Sequence, residues 1–155
     1  MSSFSDMNPF KKTILTVSAA CFMISLTQTC FVTSAGDVKG SITFISGWLG
    51  IVAFSPPAFT WLANPMIFFS WRYWLHNKTS LSLILSLGAT MLSVCFLFFE
   101  DVVLGEGGGG ENITGYKLGY WLWLSSMGVM LLGNLIVYLL KVPKSDQRPK
   151  VINQS

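Results

Sequence analysis

The stretch LGYWLWLSSMGVMLLGNLIVYLL occupies Leu118–Leu140 and runs for 23 residues without a charged side chain. A helix needs about 20 apolar residues to cross ~30 Å of hydrocarbon, so this stretch is long enough to span a bilayer. Three further blocks lack charge in the same way: Thr13–Val32, Ile42–Trp71 and Ser80–Phe99. The chain as a whole is 52% hydrophobic and 11% charged, whereas soluble domains are about 25% charged. The sequence therefore predicts an all-α membrane protein, a transmembrane four-helix bundle.

The second block is longer than one membrane crossing, because its 30 residues make ~45 Å of helix. Pro56 and Pro57 lack amide donors, so we expect a kink there, and Asn64 before Pro65 is typical of a helix start. We therefore predict a kinked span over 42–62 and a short interfacial helix over 65–75. Tryptophan and tyrosine rings settle at headgroup depth. The expected belts are Trp71, Tyr73 and Trp74 on the inner side and Tyr116, Tyr120, Trp121 and Trp123 on the outer side.

The predicted membrane domain covers residues 1–142, with spans at about 13–32, 42–62, 80–99 and 118–140, and a disordered cytoplasmic tail follows over 143–155. Four spans place both termini and the middle loop on one side. That side carries eight basic residues: Lys11, Lys12, Arg72, Lys78, Lys141, Lys144, Arg148 and Lys150. The other side carries Lys39 and Lys117. Since lysine and arginine collect on the cytoplasmic side, we expect both termini in the cytoplasm.

A second topology stays open at the amino terminus. Lys11 and Lys12, the apolar run 14–26 and the small residues 33–36 resemble a signal peptide cleaved after Ala35. Cleavage there would leave three spans, with the new amino terminus outside.

Small and polar residues recur at helical spacing within the spans, and such residues bring membrane helices into contact. The predicted helix-packing residues are Ser18, Cys21, Ser25 and Gln28 in the first span, Gly47 and Gly50 in the second, Ser82, Ser86, Ala89 and Ser93 in the third, and Gly119, Ser126 and Gly133 in the fourth. Gln28, Asn64 and Asn134 are the strongest hydrogen-bonding side chains in or beside the spans, and we expect them to bond between helices.

The residues that usually reveal transport or catalysis are missing from the spans. Ion transporters keep an ionisable group inside the membrane, and the four blocks contain none. Cys21, Cys30 and Cys95 form no Cys-x-x-Cys pair, and His76 is the single histidine, so we predict no metal and no cofactor. A basic patch with interleaved aromatic residues is also absent, which argues against nucleic-acid binding. The sequence therefore predicts a protein that is not an enzyme.

The predicted outer loop from Glu100 to Tyr116 contains Gly107–Gly110, which we expect to form a flexible tip. It is not expected to be a phosphate-binding loop, because no Gly-Lys-Ser/Thr follows and no strand is expected before it. Four acids of this loop are a candidate contact for a partner or a cation: Glu100, Asp101, Glu106 and Glu111.

Three short strings resemble parts of small bacterial four-helix inner-membrane proteins. They are Trp61-Leu62-Ala63-Asn64-Pro65, Gly115-Tyr116-Lys117-Leu118-Gly119-Tyr120-Trp121-Leu122-Trp123-Leu124 and Ser25-Leu26-Thr27-Gln28. Together they cover about a fifth of the chain. The resemblance implies a bacterial inner-membrane setting and supplies no activity or functional residues.

Three functions are compatible with these features. The first is an accessory subunit that acts by contact with another membrane protein or complex, or with further copies of itself. The second is an immunity protein against a pore-forming toxin. The third is a carrier of neutral or lipid-like substrates that uses Pro56-Pro57 and Asn64 as a broken-helix site. The sequence favours the first, because it combines helix-packing residues with an absence of the residues typical of transport or catalysis.

Overall fold

The computed structural model describes residues 7–52, 54–103 and 110–141, and this part of the chain is mostly helical. The helices are α1 Pro9–Thr27, α2 Gly40–Val52, α3 Ala63–Leu75, α4 Thr79–Cys95 and α5 Leu118–Lys141, with 3-10 segments at Pro56–Leu62 and Phe96–Phe98. The strands are β1 Thr29–Thr33, β2 Gly36–Lys39, β3 Asp101–Val103 and β4 Gly110–Tyr116. Three helical stretches are long and apolar enough to cross a membrane: Pro9–Thr27, Thr79–Phe98 and Leu118–Leu140. Of the predicted transmembrane four-helix bundle, the structure supports these three apolar helices.

The three long helices pack side by side in alternating directions. The Ser18 hydroxyl of α1 donates to the carbonyl oxygen of Ser126 in α5 at 2.8 Å, and the Tyr120 hydroxyl of α5 donates to the carbonyl oxygen of Ser93 in α4 at 2.7 Å. Further along α5, Asn134 Nδ2 lies 3.2 Å from Ser86 Oγ of α4. The start of α1 and the end of α5 consequently lie at the same end of the bundle, opposite the strands.

The predicted second span is broken rather than kinked. Helix α2 has 13 residues, which make ~20 Å of helix, too little to cross ~30 Å of hydrocarbon. The chain reverses at Phe54, which has a positive φ of 54°. The 3-10 segment then runs back along α2, where the indole nitrogen of Trp61 donates to the carbonyl oxygen of Phe44 at 2.8 Å. Pro56 and Pro57 open this returning segment, consistent with their lack of amide donors.

Helix α3 differs from the predicted interfacial helix in its start and its packing. It begins at Ala63, and no side chain caps its first turn, so Asn64 is not its N-cap. It runs antiparallel to α4, where Ser70 Oγ donates to the carbonyl oxygen of Ser82 and Ser82 Oγ donates to that of Ser70, both at 2.9 Å. Trp74 is fully buried. The serine pair and the burial of Trp74 show that α3 packs against the rest of the bundle.

A four-stranded antiparallel sheet in the order β2-β1-β4-β3 covers one end of the bundle, so the all-α prediction is wrong in this respect. The predicted first span ends at Thr27 because residues 29–33 form β1. Ser34 and Ala35 make the turn into β2, where Gly36 has a φ of +130°, which favours glycine. The proposed cleavage site after Ala35 therefore lies in a hairpin turn.

The loop predicted over 100–116 is largely strand. β3 and β4 pair with Asp101 opposite Asn112 and Val103 opposite Gly110. A strand therefore does precede the glycine run, contrary to expectation, although no Gly-Lys-Ser/Thr follows it. Gly107–Gly109 lie outside the described residues, and so does the predicted tail over 143–155.

The inner face of the sheet packs on the bundle through an aromatic cluster. Phe96, Tyr116 and Tyr120 form it, with the two tyrosine rings 4.7 Å apart. Tyr120 is 2% exposed, whereas Trp121 is 49% exposed. Of the predicted outer belt, Trp121 has the exposure that a headgroup contact requires, while Tyr120 belongs to the core because it supports the sheet.

Candidate functional site

Most of the predicted helix-packing residues pack against this chain's own helices. Nine of them are buried: Ser18, Ser25, Ser82, Ser86, Ala89, Ser93, Gly119, Ser126 and Gly133. Cys21 and Gln28 are partly exposed, and the Gln28 amide bonds to the neighbouring Thr27 hydroxyl at 3.2 Å rather than to another helix. Because other elements of the same chain cover these nine residues, they offer no surface to a second protein.

Gly47 and Gly50 serve the contact between α2 and the returning 3-10 segment. A Cβ on Gly50 would lie 2.6 Å from the Cβ of Ala58, and a Cβ on Gly47 would overlap the indole of Trp61. These two glycines therefore allow the chain to fold back on itself at close range.

The predicted acidic cluster is not gathered into a cation site. Glu100 and Asp101 are exposed, and Glu111 on β4 accepts a hydrogen bond from the Ser34 hydroxyl. Glu106 lies outside the described residues. Among the residues that the structure describes, no group of three or more histidine, cysteine, aspartate or glutamate side chains could hold a metal ion.

A cavity of about 520 Å³ lies between the sheet, α2 and the ends of α1, α3 and α5 that are nearest the sheet. Its walls come from eight elements of the fold, which include the second 3-10 segment through Phe96 and β3 through Val102. The lining residues include Ser25 and Leu26 of α1, Cys30 and Phe31 of β1, Thr43, Phe44 and Ser46 of α2, Thr60 and Trp61 of the 3-10 segment, Asn64 of α3, and Tyr120 and Trp123 of α5. This space is within the ~300–1,000 Å³ range of small-molecule sites in proteins.

The cavity exists because α2 turns small side chains inward. Gly40, Thr43, Gly47 and Gly50 recur every three or four residues along α2, and all four line the cavity. Within α2, all of whose residues are described, only Gly40 is buried. Five large side chains of this helix are exposed: Ile42, Ile45, Trp48, Leu49 and Val52. Phe44 and Leu49 also line the cavity, and the small residues beside them leave a space that the neighbouring elements do not fill.

None of the described residues that line the cavity is charged. Four of their serine and threonine hydroxyls donate within the chain. Ser25 donates to the carbonyl oxygen of Phe22 at 2.6 Å, and Thr60 donates to that of Pro57 at 2.6 Å. The hydroxyls of Thr43 and Ser46 donate to carbonyl oxygens four residues earlier. The cavity is thus an uncharged space in which these four hydroxyls are already paired.

Asn64 brings a side-chain amide to these walls. It is 4% exposed, and its Oδ1 accepts a hydrogen bond from Trp123 Nε1 at 2.8 Å. Its Nδ2 makes no hydrogen bond to any residue that the structure describes. Because Asn64 lines the cavity, this NH₂ group is available to a hydrogen-bond acceptor held there. The sequence predicts that Asn64 bonds between helices, as it does here to Trp123 of α5, and that it caps the following helix, which it does not.

Cys30 is the cysteine on the cavity wall, and it is 8% exposed. Burial raises the pKa of its thiol to about 11, because a thiolate loses its solvation inside the protein. The thiol is therefore protonated at neutral pH, and Cys30 acts there as a small apolar wall residue.

Comparison of the chain with protein-family models, with curated proteins and with solved structures gives no match. The function is therefore argued from the cavity and its walls.

Proposed function

We propose that this protein is a multi-pass protein of a bacterial inner membrane that binds a neutral, lipid-like molecule in the cavity beneath its sheet. The observation that carries the proposal is a cavity of about 520 Å³ with no charged residue among the described residues that line it. This extends the hypothesis of a carrier for neutral substrates and places the site beside the broken segment.

The absence of charge restricts what can bind. Burying an ion without a partner costs far more than a cavity of this kind repays, so charged ligands are excluded from its interior. An apolar chain, by contrast, gains about 25 cal/mol for each Å² of its surface removed from water. In a membrane that gain is smaller, so fit to the walls and hydrogen bonding decide which lipid-like molecule is retained.

The exposed residues of α2 support entry from the membrane. Leu49 lines the cavity and is 53% exposed, and its exposed neighbours Ile45 and Trp48 are also apolar. A molecule that approaches past these residues stays in contact with apolar surface throughout.

The charges at the two ends of the bundle support an orientation with both termini in the cytoplasm. Lys11, Lys12, Arg72 and Lys78 lie at or beside the helix ends opposite the sheet, and Lys39 and Lys117 lie at the sheet end. By the positive-inside rule the sheet then faces outward, and the cavity lies in the outer half of the membrane.

We further propose that the protein is not an enzyme and uses no cofactor, because the lining offers neither a nucleophile paired with a base nor a metal-binding set. The accessory-subunit hypothesis is the second candidate, and it loses part of its basis because nine of the residues on which it relies are buried within this chain.

The test is photo-crosslinking of the protein in lipid vesicles. The probe is a dodecyl hydrocarbon with a diazirine and an alkyne, compared with the same chain ending in a carboxylate or a trimethylammonium group. We expect the hydrocarbon probe to label peptides from α2 and the 3-10 segment, and the charged probes to label them far less.

Two tryptophan variants of α2 give a matched comparison. Thr43→Trp fills the cavity, whose wall includes Thr43. Ile45→Trp adds the same ring on the same helix at a position that is 70% exposed. We expect labelling to fall in the first variant and persist in the second. Equal labelling of both variants, or strong labelling by the charged probes, would contradict the proposal.

A further inference from the structure

The orientation of the Asn64 amide in the cavity is fixed by Trp123. The indole nitrogen of Trp123 can only donate, and it lies 2.8 Å from Asn64 Oδ1. Rotating the amide by half a turn would set its NH₂ group against the indole N–H, two donors facing each other. The NH₂ group is therefore the side of the amide that is left for the cavity.

The NH₂ group makes no hydrogen bond to any residue that the structure describes. Asn64 lines the cavity and is 4% exposed as a residue. This donor is therefore placed where a molecule held in the cavity can accept its hydrogen bond.

We infer that the molecule held in this cavity carries a carbonyl oxygen, as in a ketone, ester or quinone, which accepts a hydrogen bond from Asn64 Nδ2. The inference rests on the proposed function and specifies the class of its ligand. A plain hydrocarbon leaves the amide unpaired, and an ammonium group would oppose it with further donors. A carboxylate would accept the bond but bring a charge for which the described lining has no counter-charge.

The test compares two crosslinking probes with the same dodecyl chain, diazirine and alkyne, one of which also carries a methyl ketone. In the wild-type protein in vesicles we expect the ketone probe to half-saturate labelling at a roughly 3- to 10-fold lower concentration than the hydrocarbon probe, as one additional hydrogen bond provides. Asn64→Leu should remove this preference, because leucine has a similar volume and no donor. Labelling by the hydrocarbon probe should remain.

Asn134→Leu is the control, because Asn134 is also fully buried but lies between α4 and α5. It should keep the ketone preference. Equal labelling of the wild type by the two probes would overturn the inference and leave the proposed function standing. Absence of labelling by both probes would overturn the proposed function itself. If Asn64→Leu does not fold, the ratio of the two probes on the wild type still decides the question.

Discussion

Three glycines in two adjacent helices should respond to alanine in three different ways, if the helices pack as described. Gly133 of α5 faces Ile14 of α1, whose Cβ lies 3.2 Å from the place a new Cβ would take. Gly128, five residues earlier in α5, has no atom within 4 Å of that place. Gly88 of α4 faces the terminal methyl of Met66.

The magnitudes follow from the side chain that each new methyl meets. Alanine in place of glycine within a helix gains about 1 kcal/mol. At Gly128 nothing opposes that gain, so we expect a stabilisation of about 1 kcal/mol. Overlap with a packed neighbour costs about 1–3 kcal/mol. Ile14 is branched at Cβ and stiff within α1, so Gly133→Ala should show a net loss of up to about 2 kcal/mol. Met66 has a flexible side chain that can move aside, so Gly88→Ala should be close to neutral.

The assay is reversible unfolding in mixed micelles by titration with sodium dodecyl sulfate, followed by the fluorescence of the six tryptophans. The free energy of unfolding should rank Gly128→Ala highest, Gly88→Ala near the wild type and Gly133→Ala lowest. Adding Ile14→Ala should remove the cost of Gly133→Ala, and the double-mutant cycle measures the coupling.

The reasoning would be refuted if Gly133→Ala stabilised the protein as much as Gly128→Ala does, or if the cycle showed no coupling to Ile14. Either result would mean that α1 does not lie against this face of α5. The packing of the predicted first and fourth spans would then be wrong.

Two further predictions concern the cavity wall and the α3–α4 contact. Burial raises the pKa of the Cys30 thiol from 9.0 to about 11, and the thiolate is the reactive form. In a variant whose other cysteines are serine, alkylation of Cys30 by iodoacetamide should therefore be slow at about pH 8. Its rate should keep rising to about pH 11, whereas the rate for an ordinary thiol levels off near pH 9. Ser82→Ala removes one half of the reciprocal pair with Ser70 and should lower the free energy of unfolding by about 1 kcal/mol. The control is Ser80→Ala, at an exposed position of α4, which should change the free energy of unfolding little in the same titration.

The sequence predicts the later helices better than the earlier ones because charge marks their ends. Lys117 and Lys141 bracket the fourth apolar block, and α5 covers Leu118–Lys141. The first block has no such mark at its far end. Cys30, Phe31 and Val32 are as apolar as the helix before them, so composition gives no sign that α1 stops at Thr27. The β-branched residues and Gly36 were the available signal for the hairpin, and it is weak inside an apolar run.

The sequence does not predict the cavity, and the reason is different. Pro56 and Pro57 indicate that a helix is interrupted, but they do not say in which direction the chain continues. Only the reversal at Phe54 brings Trp61 back beside Gly47 and sets Asn64 near Trp123. A pattern read along one helix does not contain that information, so the sequence predicts neither the pairing of Asn64 with Trp123 nor the cavity.

Small residues have opposite consequences in two parts of this fold, and the difference lies in what they face. Ser18 and Ser126 face each other across two straight helices, so the backbones approach and the space closes. On α2 the small residues also recur at helical spacing, but Gly47 and Gly50 face the returning 3-10 segment. Helix α2 meets α1 through Gly40 and through the Phe44 ring, which lies 5.9 Å from that of Phe22, and between these contacts it lines the cavity. The cavity therefore depends on the path of the backbone, and we expect a larger side chain on its wall, such as tryptophan at Thr43, to reduce its volume.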